Sequence, residues 1–277
     1  ITSTALNRRI LSMEEELGVA LFERLPTGVR LSVAGELFIH HARRQLADME
    51  RVKSQLADLE GERRGHVSIV CGHAVMSSFL PEVIADYRKE HPAVTFDVRV
   101  SNRTEYEAAL TDYTTDLALV FEPESFSEFH CVLDVTQQIH VLFGKDHPLA
   151  GKSTVRLSDC LSYPMALPTR ANGVRHLLEL AARRMSVDLP VILESDSETL
   201  LLETILRSDA ITVQIPIGIM KRSLSGDVVH CVLDTRDVGV GRLMLGQLKG
   251  RHLPVASARF LELLSARLDQ RDEEAAL

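Results

Sequence analysis

One long stretch of this sequence leaves few options for its structure. No glycine or proline occurs between Gly35 and Gly61, so the sequence predicts a helix of about 28 residues and about 42 Å that starts after Ser32. Its apolar residues recur at the spacing of a coiled-coil seam, interrupted only by Gln45: Phe38, Ala42, Met49, Val52, Leu56 and Leu59. We expect this seam to pair with a second copy of the chain; the alternative is that it packs on the protein's own body.

The residues before this helix predict a shorter helix and a hairpin. Thr2 is a candidate N-cap for a helix that Gly18 ends. The apolar residues of that helix fall on one face, which we expect to be buried: Leu6, Ile10, Met13 and Leu17. Residues 21–24 and 29–32 flank the turn-forming run 25–28, which predicts a short β-hairpin, or wing.

From residue 66 the pattern changes to β-branched runs that alternate with helical spacing. The first set of strands and helices is Val67–Cys71, Pro81–Glu90, Val94–Val100, Glu105–Leu110 and Leu117–Phe121. The second set is Pro164–Leu167, Val174–Met185, Val191–Leu193, Glu198–Leu206, Ile211–Ile215 and Val228–Leu233, and a last helix covers Ser257–Leu268. This alternation predicts a mostly parallel sheet covered by helices, in two α/β lobes.

Composition excludes several classes of protein. The net charge is −8, and residues 1–65 contribute none of it, with ten basic and ten acidic side chains. No window reaches the ~18 apolar residues of a membrane span, and no basic-then-apolar segment opens the chain. We therefore expect a cytoplasmic protein without a signal peptide or a membrane partner.

The sequence also contains no pattern that favours an enzyme. It lacks a nucleophile-elbow motif, a P-loop and a dinucleotide fingerprint. Its four cysteines lie far apart, without the spacing of metal ligands. We expect no catalytic residue, no metal site and no cofactor, and we interpret the cysteines as small buried apolar residues.

Three motifs near the N-terminus stand in a familiar order. They are Ala5-Leu-Asn-Arg-Arg-Ile10, then Glu14-Glu-Glu-Leu-Gly-Val19 with Leu21-Phe-Glu-Arg24, then Val29-Arg-Leu-Ser-Val-Ala-Gly35. Together they resemble the N-terminal signature of the LysR-type transcriptional regulators. Later residues resemble the same family less specifically: Leu80-Pro81, His91-Pro92, Thr115–Leu119 and Asp146–Leu149.

The resemblance implies an α/β fold class with three parts. It implies a partial winged helix-turn-helix (recognition helix and wing, 1–31), a dimerising linker helix (32–64) and a two-lobed, periplasmic-binding-protein-like effector-binding domain (65–277). Within that domain we expect lobe I over 65–141 and 246–277, and lobe II over 142–245. Because the chain opens at Ile1 without a Met, we expect it to begin inside the DNA-binding domain.

The resemblance further implies contacts with double-stranded operator DNA. A recognition helix presents short polar side chains and arginines to base edges in the major groove, and a wing residue reaches a phosphate or the minor groove. The expected contact residues are Thr2, Ser3, Thr4, Asn7, Arg8, Arg9 and, on the wing, Arg30.

The resemblance also implies a small-molecule effector in a cleft between the lobes, beyond the carboxyl ends of the strands. The expected lining residues are His73, Ala74, Met76, Ser77, Ser101, Asn102, Arg103, Phe121, Thr169, Arg170, Asp196 and Thr212. We expect an anionic metabolite, because a helix that begins at Met76–Ser78 would offer free N–H groups. Arg103 and Arg170 would add charge-assisted hydrogen bonds.

These expectations define one leading function and two alternatives. The leading hypothesis is a ligand-responsive DNA-binding regulator that acts as a homodimer or homotetramer. The first alternative is a two-lobed solute-binding receptor without a DNA-binding role, which would share the cleft. The second is a two-lobed transferase, which would need a catalytic constellation that the sequence does not contain.

Overall fold

The computed structural model describes residues 3–59, 64–219 and 226–276. The chain divides into two units, residues 1–53 and 54–277. The first unit contains the helix α1 (Ser3–Leu17), the strands β1 (Phe22–Leu25) and β2 (Gly28–Leu31), and most of the helix α2 (Val33–Leu59).

The long helix and the hairpin are confirmed. Helix α2 has 27 residues, and β1 pairs with β2 in antiparallel register around a two-residue turn. Helix α1 ends before Gly18, which has a φ of +68°, a conformation that glycine adopts at little cost. Thr2, the expected N-cap, lies outside the described residues.

A small hydrogen-bond network joins the elements of this unit. The Glu14 carboxylate accepts from the backbone N–H groups of Leu21 (2.6 Å) and Phe22 (3.2 Å). The Ser32 hydroxyl caps α2, accepting from the Gly35 N–H at 3.0 Å. A Cβ at Gly35 would lie 2.0 Å from the Leu21 carbonyl oxygen, so only glycine fits where α2 meets the hairpin.

The apolar face of α1 is not buried as predicted. Leu6 and Leu17 are 52% and 45% exposed, and Ile10 and Met13 are half-buried. The prediction was wrong because periodicity identifies an apolar face without identifying what covers it. Among the described residues, nothing covers this face fully.

The second unit contains the remaining strands and helices. The strands are β3 (Arg64–Cys71), β4 (Ala93–Val100), β5 (Leu117–Phe121), β6 (Phe129–Gln137), β7 (His140–Gly144), β8 (Thr154–Val155), β9 (Met165–Leu167), β10 (Val191–Glu194), β11 (Thr212–Gln214), β12 (Val228–Leu233) and β13 (Gly241–Leu248). The helices are α3 (His73–Met76), α4 (Phe79–Glu90), α5 (Tyr106–Thr111), α6 (Leu157–Cys160), α7 (Gly173–Met185), α8 (Glu198–Leu206) and α9 (Val255–Ala276), with a 3₁₀ turn at Pro216–Gly218.

The strands form two main sheets, which gives the two-lobed α/β architecture. The first sheet has the order β4-β3-β5-β13-β6, and the second has the order β11-β7-β12-β8 with the parallel pair β9 and β10 beside it. An isolated bridge between Met165 and Ile211 connects that pair to the residue immediately before β11. The predicted lobe boundaries at 141/142 and 245/246 fall inside β7 and β13.

The prediction of mostly parallel sheets was wrong, because both sheets are mixed. Strands β3, β4 and β5 run parallel, but β13 is antiparallel to both β5 and β6. In the second sheet, β7 is antiparallel to both of its neighbours. Strands β6, β7 and β13 were not predicted. Strand β6 of the first sheet is followed by β7 of the second, and β13 brings the chain back into the first sheet, where it runs antiparallel to β5 and β6.

The core of the second unit is extensive and includes residues of helices and of strands from both sheets. Helix α9 buries Phe260, Leu264 and Leu268 in the same apolar cluster as Val67 and Leu119 of the first sheet.

None of the helices in the described ranges is long and apolar enough to cross a membrane.

Candidate functional site

A cavity of about 170 Å³ opens between the two lobes. Its wall is formed where strands end: Gly72 follows β3, Ser101 follows β4, Phe121 ends β5, and Gln214 ends β11. This position, outside the carboxyl ends of strands, is where ligands bind in open α/β folds.

Most of the predicted effector residues surround this cavity. The predicted residues that line it are His73, Ala74, Ser101, Asn102, Arg103, Phe121, Thr169 and Asp196. Thr212 lines a smaller adjoining cavity. Met76, Ser77 and Arg170 are not among the residues that line either cavity.

A helix does begin at the predicted place, because α4 starts at Phe79 with Ser78 as its N-cap. The short helix α3 comes before it and starts at His73, so Met76 and Ser77 lie at the junction of the two helices. None of residues 76–79 lines either cavity. The N–H groups of this helix start are therefore not part of the cavity wall.

Arg170 is placed differently from the prediction. Its side chain is 74% exposed, and its Nε lies 3.3 Å from Oε1 of Glu179. Glu179 lies on α7 and also pairs with Arg175 at 2.9 Å. The acidic side chain draws Arg170 along the outside of α7 and away from the cavity.

Arg103, by contrast, lines the cavity and is held firmly. Its side chain is 12% exposed, and its Nη1 lies 3.8 Å from Oε1 of Glu124. Its Nε donates to the Glu122 carbonyl oxygen at 2.8 Å. The backbone carbonyl orients the guanidinium but does not neutralise its charge, and the Glu124 pair is too long for a hydrogen bond.

Sequence reasoning missed the N-terminus of α7 as part of the site. Asn172, Gly173 and Val174 all line the cavity, and the Asn172 side chain caps the helix by accepting from the Val174 N–H at 2.9 Å. A Cβ at Gly173 would lie 2.4 Å from the Phe121 carbonyl oxygen, so glycine permits this close approach. The signal was present, since Asn before an apolar periodic run is a typical N-cap.

The adjoining cavity has a volume of about 30 Å³, and its lining combines apolar side chains such as Leu142 with the polar side chains of Glu198 and Gln214. Glu198, at the start of α8, accepts from the Ser77 hydroxyl at 2.5 Å and from the Gln214 amide at 3.3 Å. Burial raises the pKa of the Glu198 carboxyl, and these hydrogen bonds oppose the rise. The Thr212 hydroxyl is buried without a hydrogen-bond partner among the described atoms. The bond from Ser77 to Glu198 links the two lobes.

The predicted DNA-contact residues lie in the first unit. Thr4, Asn7, Arg8 and Arg9 are exposed on α1. Ser3 is the first residue of α1, and Thr2 is outside the described residues. Arg30 is exposed on β2, and its Nη2 lies 2.7 Å from Oε2 of Glu23 on β1, so a phosphate would have to share it with that carboxylate.

No group of three or more His, Cys, Asp or Glu side chains in the described ranges could hold a metal ion. The four cysteines are free thiols, of which Cys71, Cys160 and Cys231 are buried. Burial raises the pKa of both Cys71 and Cys160 to about 12. These thiols are therefore poor metal ligands, since the thiolate is the form that binds.

Comparison with known families identifies the second unit. Residues 60–269 match the family model described as LysR substrate binding domain. The HTH-type transcriptional regulator YtlI of Bacillus subtilis is 30% identical over 190 residues, which are 66% of this chain and 61% of YtlI. The transcriptional dual regulator GltC of the same organism is 32% identical over 157 residues, 56% of this chain and 52% of GltC. The chain thus spans about half to three-fifths of the length of these relatives.

Solved structures share the fold at lower identity. The Synechocystis CcmR regulatory domain in complex with 2-PG has a TM-score of 0.64 at 21% identity, over 73% of this chain and 97% of that one. The effector-binding domain of QuiR in complex with shikimate has a TM-score of 0.63 at 17% identity, over 75% and 98% of the two chains. Full-length CbnR complexed with its target DNA has a TM-score of 0.58 at 17% identity, over 96% and 90%.

The family match covers more than half of the chain, and it agrees with the N-terminal resemblance found in the sequence. YtlI and GltC are named as regulators rather than enzymes, as the sequence predicts. The chain therefore belongs to the family of LysR-type transcriptional regulators.

Proposed function

We propose that this protein is a ligand-responsive regulator that binds operator DNA and senses a small metabolite in the cavity between its lobes. The observation that carries the proposal is the cavity at the strand ends of a LysR substrate-binding domain. The fold that it shares with CcmR bound to 2-PG, QuiR bound to shikimate and CbnR bound to DNA supports both activities. Because the operator lies in the cytoplasm, the proposed site of action is there.

The proposed effector is anionic. Two positive features support this choice, the Arg103 guanidinium and the N-terminus of α7, whose helix dipole carries partial positive charge toward the cavity. The protein's net charge of −8 repels anions at long range, so affinity for an anion must come from these local groups. Arg170 lies outside the cavity and is not one of these groups.

Arg103→Ala should weaken the binding of an anionic effector by about tenfold or more, because a hydrogen bond to a charged group contributes ~1.5–3 kcal/mol. The measurement is a thermal-shift screen of small acids and matched neutral analogues, followed by titration calorimetry of the best acid. Arg103→Lys, which keeps the charge, should retain part of the affinity.

Arg170→Ala is the matched control, since it removes the same side chain type outside the cavity. It should leave the affinity unchanged. Stabilisation only by neutral or cationic compounds would contradict the anionic assignment. Equal losses of affinity in the two alanine variants would contradict it as well.

Asn7→Ala and Arg8→Ala should weaken binding of the whole protein to its own upstream DNA. Each lost base contact costs ~1–3 kcal/mol and relaxes base preference at one operator position. Gel-shift titrations at about 100 mM salt, where specific sites usually still bind, against operators substituted one base pair at a time provide the measurement. Loss of affinity with every base preference intact would mean that the pair touches phosphate only, and no shift even for the unaltered protein would favour the solute-binding receptor.

The proposed assembly is a homodimer or homotetramer formed through α2. The seam residues Met49, Val52, Leu56 and Leu59 are exposed in the single chain. A helix of this length with an exposed apolar seam is typical of one that pairs with another helix.

A further inference from the structure

Two histidines that are 90 residues apart in sequence meet on the second sheet. His140 lies on β7 and His230 on β12, and their Nδ1 atoms are 3.0 Å apart. The strands are antiparallel neighbours in which Val232 is opposite His140 and His230 is opposite Leu142. The two rings are therefore diagonal neighbours on the same face of the sheet, with centroids 5.1 Å apart.

We propose that His140 and His230 form a bidentate site for a divalent transition-metal ion that prefers imidazole nitrogen, such as Ni²⁺ or Zn²⁺. Metal–imidazole bonds are about 2.0–2.1 Å long. An ion bonded to two nitrogens 3.0 Å apart therefore subtends an angle of about 95°. This angle matches two adjacent positions of an octahedral or square-planar ion, and a small opening of the ring pair reaches the tetrahedral angle that Zn²⁺ prefers.

The two rings share a hydrogen bond between their Nδ1 atoms in the metal-free chain, so one of these atoms carries a proton. A bound ion would replace that hydrogen bond. Both rings would then carry their proton on Nε2, which leaves both Nδ1 lone pairs for the metal.

The surroundings leave room for further ligands on the ion. His230 is exposed and His140 is half-buried, so water can complete the coordination from the solvent side. Among the described residues, no third His, Cys, Asp or Glu side chain joins the pair to form a three-ligand cluster. The protein therefore supplies two ligands, and the buried cysteines do not compete with them for the ion. Imidazole nitrogen as the protein ligand favours Ni²⁺, Cu²⁺ and Zn²⁺ over the oxygen-preferring Mg²⁺.

A bound ion would link β7 to β12 directly. His140 is also paired in register with Gln214 of β11, which lines both cavities. The metal site thus lies next to the effector cavity, because the neighbour of His140 on β11 is a residue of the cavity wall. The proposed metal site does not depend on an effector being bound.

The test is titration calorimetry of the tag-free chain with Ni²⁺ and Zn²⁺, with Mg²⁺ as the negative control. The unaltered chain should bind one Ni²⁺, and His140→Asn and His230→Asn should each weaken binding by about tenfold or more, because chelation by the second ring is lost. His130→Asn is the matched control, a single exposed strand histidine opposite Gln247, and it should bind as the unaltered chain does.

A second measurement separates ligand loss from misfolding. Ni²⁺ should raise the unfolding temperature of the unaltered chain and of His130→Asn, but not that of His230→Asn. The exposed His230 variant should unfold at the unaltered temperature when no metal is present. The proposal is overturned if the unaltered chain takes up no Ni²⁺ or Zn²⁺ at 1 mM metal, or if uptake is the same in both histidine variants.

Discussion

Asp116→Ala should destabilise the second unit by about 3–5 kcal/mol, the range expected when one partner of a buried ion pair is removed. Asp116 directly precedes β5, and Arg251 precedes α9. The distance between Oδ1 of Asp116 and Nη2 of Arg251 is 2.5 Å. The two side chains are only 9% and 8% exposed. Removing the carboxylate leaves a buried guanidinium without its counter-charge.

The network around this pair increases the expected loss. Arg251 also donates from Nη1 to the Thr115 carbonyl oxygen at 2.6 Å. The second oxygen of the Asp116 carboxylate accepts from the Ser257 hydroxyl of α9 at 2.8 Å and from the Ser68 N–H of β3 at 3.5 Å. One carboxylate therefore ties β3, β5 and α9 together, and buried groups that lose their partners incur the full cost of desolvation.

Urea unfolding followed by circular dichroism measures this prediction. Asp227→Ala is the matched control, because it breaks an exposed pair with Lys145 of similar length, 2.7 Å, and exposed pairs contribute little to stability. Domains have a free energy of unfolding of about 5–15 kcal/mol in total. The loss expected for Asp116→Ala should therefore lower the urea concentration at the unfolding midpoint clearly. Equal midpoints for the two variants would show that the buried pair is not a major contributor.

Met49→Glu should abolish self-association through α2. Met49 and Leu56 are 54% and 57% exposed in the single chain, and in the proposed dimer each would face a second helix. Burying an unpaired carboxylate in that seam costs several kcal/mol. A loss of about 3 kcal/mol would weaken the dimer by more than a hundredfold.

Sedimentation velocity across a range of concentrations is the measurement. Glu50→Lys changes the charge at the adjacent position, off the seam, where it removes an exposed pair with Lys53, and it should leave the assembly intact. An unchanged oligomer in Met49→Glu would exclude the α2 seam as the interface. That result would favour the alternative in which the seam packs on the body of its own chain.

Local patterns were sufficient for the secondary structure near the N-terminus. The absence of breakers predicted α2, the turn residues at 25–28 predicted the hairpin, and Gly18 ended α1 where expected. These features depend on backbone preferences and neighbours a few residues away, which the sequence displays directly. The same reasoning found β5 and α8 with correct boundaries.

Strands that connect the lobes were harder to recognise. Strand β13 contains Gly246, and a Cβ there would lie 2.1 Å from the His130 carbonyl oxygen of β6. A glycine inside a strand weakens the β signal, although here the close approach of β6 requires it. The direction of β13 follows from where its partners lie, not from its own residues.

The chain's family, its long helix and the strand ends that form a cavity can all be derived from the order of residues, because they rest on local periodicity and on motifs in fixed register. Which partner each side chain contacts was decided by the packing of the tertiary structure. Arg103 and Arg170 look alike in sequence, yet a carbonyl holds one at the cavity and Glu179 draws the other outside. Asp116 meets Arg251, and His140 meets His230, across 135 and 90 residues. Contacts of that range form only when the sheets close, because the free energy that selects them comes from burial and from neighbours distant in sequence.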